Sequence, residues 1–208
     1  MGISNPHLNR RDALRRLAAG ALGAAAAPAW VQSLAALARE RAYIQATTSA
    51  ASAPGWTPKA LTPAQNEAVI ALTEIIIPET DTPGAKAAKV NQFVDWVLAD
   101  APAAERDKFT SGLAWVDGRS RARFGQPFAA ASPEQQTALL TPLAEAESGG
   151  AASAVSSEDA TGVAFFRAIK SLTINGYYST EIGLRQALGD DGQMFVPVFR
   201  GCDHPEHQ

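Results

Sequence analysis

The chain has 208 residues, of which 46% are hydrophobic, and its formal net charge is -3. This composition fits one globular domain with an ordinary core and excludes a disordered chain or a coiled coil. Because 18 basic residues are balanced by 21 acidic ones, no broad positive field would attract nucleic acid, and we expect no nucleic-acid partner. The single cysteine excludes an internal disulfide framework.

The N-terminus has the pattern of an export signal. Arg10 and Arg11 precede an apolar run over 17–27 that is rich in alanine, leucine and glycine, and small residues follow at 27–29. A membrane span needs about 20 apolar residues, so this run is too short for one. We expect residues 1–29 to be a signal peptide for the twin-arginine translocase. The alternative is a buried alanine-rich helix behind basic residues.

The next segment predicts an arm and a linker. Residues 31–46 could form a short helix, and 47–58 are rich in Ser, Thr, Ala, Pro and Gly, which is typical of a flexible linker. Within that linker we expect Trp56 to anchor the chain on the domain surface. We therefore assign 30–60 to an N-terminal arm and linker, and 61–208 to the folded domain.

Helical spacing of apolar residues predicts three helices in the first half of the domain. The first starts at a capping box over 62–65 and ends at Pro78. The second covers the apolar residues at 93–98. The third is opened by Pro102 and closes near Gly125.

The second half repeats this logic. A capping box over 132–135 predicts a fourth helix, which we expect Pro142 to split or end. A loop of small residues follows over 148–157. A fifth helix is expected to stop at 175–176, and a shorter one is expected over 179–188.

The predicted fold class is all-α. Every long apolar pattern has helical spacing and a recognisable start or stop. We expect a single compact helical domain of about five to six helices, with an N-terminal signal segment and an extended C-terminal tail over 190–208. The tail contains the apolar residues 195–199, which we expect to pack against another surface.

The sequence lacks the motifs of common catalytic sites. It has no Gly-rich phosphate loop after a strand, no C-x-x-C-H haem attachment and no G-x-S-x-G nucleophile elbow. Histidine, the commonest general base, occurs only at His7, His204 and His207. We therefore predict no catalytic residue and no cofactor in this chain. The twin-arginine pathway exports folded proteins, which matters most for proteins that receive a cofactor in the cytoplasm. Because this chain has no cofactor motif, we infer that a bound partner is exported with it.

Metal-capable groups concentrate near the C-terminus. Cys202, His204 and His207 carry the thiol and imidazole groups that suit zinc. A metal site normally takes three or four ligands from more than one element, so we predict no metal site. A stand-alone exported protein that binds metal through this tail is the alternative function. Cys202 could instead form an intersubunit disulfide in an oxidising compartment.

Two polar segments are candidates for contact with a partner. One is the turn after the first helix, where Asp and Thr side chains can cap backbone donors. The other is the aromatic link between the last two helices, although aromatic residues at such a turn are as often core caps as interface anchors. Nothing in the sequence pairs Glu74, Glu79 or Asp81 as an acid and a base. Together with the tail, the candidate contact residues are Asp81, Pro83, Gly84, Tyr177, Tyr178, Glu181, Cys202, His204 and His207.

Three segments in order, 75–85, 176–183 and 201–207, resemble the gluconate 2-dehydrogenase subunit 3 family. Its members are the small subunits of bacterial, membrane-associated, flavin-dependent sugar and sugar-acid dehydrogenases. The resemblance covers about 61–207, behind a similar twin-arginine signal. Each segment alone is unspecific, whereas the combination is specific.

The resemblance implies a three-part complex. A large FAD-dependent subunit of the GMC type oxidises the substrate, and a multihaem cytochrome c subunit passes electrons towards quinone. The small subunit is expected to help the flavoprotein fold and to carry it through the twin-arginine pathway. The complex would lie on the periplasmic face of the inner membrane. The family has no accepted catalytic residue in this subunit, and none is transferred here. An autonomous enzyme is disfavoured because base, nucleophile and cofactor motifs are missing.

Overall fold

The computed structural model describes residues 27–48, 56–147 and 159–190. In these ranges the chain is helical and contains no strand, which confirms the prediction of a single all-α domain. A 3₁₀ turn over Phe128–Ala130 precedes the fifth helix, and a π-helical turn over Ile182–Ala187 follows the sixth. The helices are α1 (Ala29–Thr48), α2 (Pro63–Ile76), α3 (Val90–Asp100), α4 (Ala103–Phe124), α5 (Pro133–Glu147) and α6 (Ala160–Tyr177).

Helix α6 lies at the centre of the domain and contacts each of the other five helices. Phe165, Ile169 and Leu172 are fully buried on it, and their spacing places them on one apolar stripe. In the part of the chain that is described, no helix is sufficiently long and apolar to span a membrane. The core is therefore built around α6 by helix-on-helix packing.

Helices α3 and α4 pack against α6, and α4 runs in the opposite direction to it. Near the C-terminal end of α6, Gly176 lies against Phe93 of α3, and a β-carbon on Gly176 would stand 2.7 Å from the Phe93 ring. Further along, the rings of Phe165 and Phe109 are 5.1 Å apart. At the start of α6, Gly162 lies against Trp115 of α4, and Arg119 of α4 pairs with Asp159. Gly176 therefore provides close helix packing, and α6 runs through it to Tyr177.

Helix α1 belongs to the core, although it lies in the range 30–60 for which the sequence predicts an arm and linker. Its residues Val31, Leu34 and Ala38 are buried in the same cluster as the core of the domain. The helix packs mainly against α6. It therefore supplies one side of the bundle.

Both predicted capping boxes are present. At the start of α2, the Thr62 hydroxyl accepts the Gln65 N–H at 3.3 Å and the Gln65 side chain accepts the Thr62 N–H at 2.8 Å. Ser132 and Gln135 make the same exchange at the start of α5. Gly125, with φ of 76°, ends α4 as predicted. Local sequence therefore set these helix ends.

The prediction that Pro142 splits or ends the fourth helix is wrong, because α5 continues through it. Proline lacks an N–H, which leaves the Ala138 carbonyl without its usual helical donor. The Arg123 guanidinium of α4 lies 3.4 Å from that carbonyl oxygen and donates to it. Pro142 is exposed while Leu139 and Leu143 are buried, so the packing of their face keeps the helix intact.

Candidate functional site

Glu74 holds the loop between α2 and α3. One carboxylate oxygen of Glu74 accepts the Glu79 N–H at 3.0 Å, and the other accepts the Lys86 N–H at 2.7 Å. The Ala85 N–H donates to the Ile77 carbonyl at 2.9 Å. A carboxylate that accepts two backbone donors fixes both ends of a loop. Glu74 thus has a structural role in this geometry.

Gly84 is required where this loop folds back over Glu74. It is buried, and a β-carbon there would lie 2.5 Å from the Glu79 nitrogen and 2.7 Å from a Glu74 carboxylate oxygen. Such distances are far inside van der Waals contact. Only a residue without a side chain allows the backbone to approach Glu74 this closely.

Tyr177 joins the loop to the end of α6. Its side chain is buried, with 1% exposure, and its hydroxyl donates to the Pro83 carbonyl at 2.7 Å. These residues come from the two segments that the sequence singled out separately, 94 positions apart. Tyr178 packs edge-on against Tyr177 with ring centroids 5.2 Å apart, and it is 39% exposed. The two candidate segments therefore form one surface, which we call the loop–α6 junction (residues 77–89 and 176–183).

Hydroxyl groups close the turn that follows α6. The Ser179 hydroxyl donates to the Gly176 carbonyl at 2.8 Å, and the Thr180 hydroxyl donates to the Tyr177 carbonyl at 2.6 Å. Thr180 also accepts the Gly183 N–H at 3.1 Å. Ser and Thr commonly satisfy helix ends in this way. The junction is held on this side by short-range hydrogen bonds.

The three carboxylates considered as acid or base have separate surroundings. Glu74 is bound to backbone donors, as described. Asp81 accepts the Thr80 hydroxyl at 2.9 Å and is exposed, and Glu79 is also exposed. Glu181 pairs with Arg185 at 3.2 Å, one helical turn on. Among the candidate contact residues, the structure joins Pro83 to Tyr177 and places Asp81 and Gly84 in the same loop.

Asp95 is a structural anchor that the sequence did not reveal. It is fully buried in α3 and accepts the backbone N–H groups of Lys59, Ala60 and Leu61 at 2.8, 2.9 and 2.9 Å. These bonds fix the segment that leads into α2. The available signal was an acidic residue inside the apolar run 93–98, because a buried charge requires partners.

A second feature absent from the sequence prediction is a groove of about 540 Å³ between α2, α4 and the 3₁₀ turn. Small apolar residues line much of it, and Glu67, Asp117 and Arg121 stand among them. Asp117 accepts the Phe128 N–H at 2.9 Å and pairs with Arg121 at 2.9 Å. Asp117 therefore holds the 3₁₀ turn and is paired with Arg121.

Several predicted residues lie outside the described ranges. Arg10 and Arg11 of the export signal are among them, as are Cys202, His204 and His207 of the tail, and also the loop over 148–157. What the sequence predicts for these residues remains a prediction. Within residues 27–48, 56–147 and 159–190, no three His, Cys, Asp or Glu side chains gather in a way that could hold a metal ion.

Comparison with known proteins gives one result. The sequence model of the family described as gluconate 2-dehydrogenase subunit 3 matches residues 63–194, which is more than half of the chain. No curated protein and no solved structure gives a significant match. The matched range contains α2 to α6 and the whole loop–α6 junction. The chain therefore belongs to the gluconate 2-dehydrogenase subunit 3 family and is a subunit of a gluconate 2-dehydrogenase complex.

Proposed function

We propose that this chain is the non-catalytic small subunit of a periplasmic, flavin-dependent sugar or gluconate dehydrogenase complex. In this proposal it helps the large flavoprotein subunit to fold and carries it through the twin-arginine pathway. The large subunit holds FAD, and a multihaem subunit holds haem c on the periplasmic face of the inner membrane. The family match over residues 63–194 is the observation that carries the proposal.

The use of the polar groups at the loop–α6 junction supports an accessory role. Glu74 is engaged with two backbone N–H groups, and the Tyr177 hydroxyl is engaged with the Pro83 carbonyl. These groups fix the shape of a surface. A surface whose shape is fixed by hydrogen bonds, and which carries an exposed aromatic residue such as Tyr178, suits protein recognition.

The export role is supported by the sequence of the N-terminal segment. The pair Arg10–Arg11 precedes a weakly apolar run and a small-residue site, which is the order of a twin-arginine signal. A pathway that moves folded proteins would allow one signal to export a preassembled complex. The partner flavoprotein then needs no signal of its own.

The test is co-expression with the large subunit, with flavin-dependent dehydrogenase activity measured in the periplasmic fraction. Replacing both residues of the pair (Arg10→Lys and Arg11→Lys) should lower that activity at least tenfold and leave the flavoprotein in the cytoplasm. The matched control is Arg15→Lys with Arg16→Lys, a second arginine pair in the same segment, which should export normally. Unchanged periplasmic activity in the first variant would contradict the carrier role.

The accessory role is tested separately with the purified complex. FAD should leave with the large subunit when the two are separated under denaturing conditions, and this chain alone should oxidise no sugar or sugar acid. The large subunit expressed without this chain should be less soluble. A flavin or a sugar-oxidising activity that stays with this chain would refute the non-catalytic assignment.

A further inference from the structure

Exposed apolar side chains occur at the end of α6 and after the π-helical turn that follows it. Ile174, Tyr178 and Leu188 are 42%, 39% and 61% exposed. Ile174 and Tyr178 are four residues apart, so they lie on the same face at the end of the helix. Single exposed apolar residues are ordinary, whereas neighbouring ones mark a contact surface. We call these three residues the apolar strip.

Leu188 lies at the end of the π-helical turn that follows α6. The Leu184 N–H donates to the Thr180 carbonyl at 2.9 Å, so the turn begins two residues after Tyr178 in the sequence. Ile182 packs against the core, and the Leu188 N–H donates to the Gly183 carbonyl at 3.1 Å. The strip therefore extends from α6 over the turn that follows it.

The π-helical turn ends in a glycine cap, and the structure describes the chain as far as Asp190. Gly189 has φ of 68°, and the Asp190 N–H donates back to the Leu184 carbonyl at 2.9 Å. This is the geometry of a glycine-terminated helix end. Five residues later the sequence reads Phe-Val-Pro-Val-Phe over 195–199. An extended chain of five residues spans about 17 Å, which is ample to return to the strip.

We propose that residues 195–199 pack on the apolar strip in the free subunit. The segment is apolar throughout, and in an extended chain Phe195 and Phe199 point to the same side. Its short tether to Asp190 gives it an effective concentration of the order of millimolar at the strip, which a separate molecule rarely reaches. The inference concerns the chain by itself and does not depend on the proposed export function.

The first test is amide hydrogen exchange of the full chain, followed by mass spectrometry of peptides that cover 193–200. We expect these amides to exchange at least about tenfold more slowly than an unstructured peptide. Replacing two strip residues (Ile174→Ser with Tyr178→Ser) should remove that protection. The matched control is Tyr43→Ser, which changes another exposed tyrosine, 74% exposed on α1, and should leave the tail protected.

The reciprocal test follows the strip itself by nitration of tyrosine. Tyr177 is buried, so Tyr43 and Tyr178 are the two exposed tyrosines. Phe195→Ser with Phe199→Ser should raise the nitration rate of Tyr178 at least threefold and leave that of Tyr43 unchanged. Phe195 and Phe199 lie outside the described helices, so this measurement stays valid if the strip variants fold poorly.

Three outcomes would overturn the inference. Exchange of 193–200 at the unstructured rate in the monomer would show that the tail does not pack. Protection that grows with protein concentration would assign the strip to a second copy of the chain. Protection that appears only after the large subunit is added would assign it to that partner.

Discussion

Asp95 and Glu74 both hold irregular segments of this fold, and they differ in burial. Asp95 is fully buried and accepts three backbone N–H groups from 59–61. Glu74 is half-buried and accepts two from the loop after α2. Asp95 accepts from three consecutive backbone N–H groups, whereas the Glu74 loop also depends on Gly84 and Tyr177.

The difference follows from the surroundings of the charge. A carboxylate away from water makes stronger hydrogen bonds to backbone donors, and those donors are costly to leave unpaired. At the surface, water competes for the same groups, so a loop needs additional contacts to keep one shape. Asp95 therefore stabilises the domain. Glu74, together with Gly84 and Tyr177, shapes the loop–α6 junction.

The strongest test of this comparison is Asp95→Ala. It removes three charge-assisted hydrogen bonds and leaves three backbone donors near the core without an acceptor, so the free energy of unfolding should fall by about 3 kcal/mol or more. Urea unfolding followed by circular dichroism measures it. The control is Asp100→Ala, which breaks an exposed ion pair with Arg41 and should cost at most about 1 kcal/mol. Equal losses in the two variants would contradict the role of burial.

Gly84→Ala tests the close approach in the Glu74 loop. The added β-carbon meets the Glu79 nitrogen and the Glu74 carboxylate, so the free energy of unfolding should fall by about 2 kcal/mol. Gly118→Ala is the matched control because nothing lies within 4 Å of its added carbon. In that exposed helical position alanine should stabilise by about 0.5–1 kcal/mol. A neutral Gly84→Ala would show that the loop can move away from Glu74.

Tyr177→Phe tests the hydrogen bond that joins the loop to α6. It removes the donor to the Pro83 carbonyl and keeps the ring, so we expect a loss of about 1 kcal/mol in the free energy of unfolding. Faster amide exchange in 79–85 should accompany it. Tyr178→Phe, whose ring is partly exposed, should leave both measurements nearly unchanged. If the amides of 79–85 exchange at the wild-type rate in Tyr177→Phe, this hydrogen bond does not hold the loop.

The last prediction concerns Glu134, an exposed carboxylate at the start of α5, and the small shift of its pKa. The Ser132 hydroxyl donates to Glu134 at 2.8 Å, and this bond, followed by a backbone N–H, lowers the pKa of the Glu134 carboxyl. Because the pKa is lower in the folded state, the ionised carboxyl stabilises the folded protein at pH values above the ordinary pKa of glutamate. This stabilisation is lost as the pH falls through the pKa of the folded state.

Ser132→Ala should therefore raise the pKa of Glu134 towards its ordinary value, as measured by NMR titration. The loss of the α5 cap should also lower the free energy of unfolding by about 1 kcal/mol at neutral pH. Ser111→Ala, an exposed serine within α4, should leave the pKa of Glu134 in place. An unshifted pKa in Ser132→Ala would show that the backbone N–H alone lowers it.

Sequence alone determined the features that depend on neighbours along the chain. The helical spacing of apolar residues and the capping boxes at Thr62 and Ser132 predicted α2 to α6, because helix starts and stops are short-range events. The segments around Asp81 and Tyr177 were also singled out from the sequence, and the family match includes both.

The tertiary structure decided what depends on contacts between distant residues. It placed α1 in the core, gave Asp95 its three backbone partners and joined Tyr177 to Pro83 across 94 positions. It also kept α5 intact through Pro142, where packing outweighed a local preference. Hydrogen-bond partners far apart in sequence leave no periodic signal, since they are set only when the helices pack around α6.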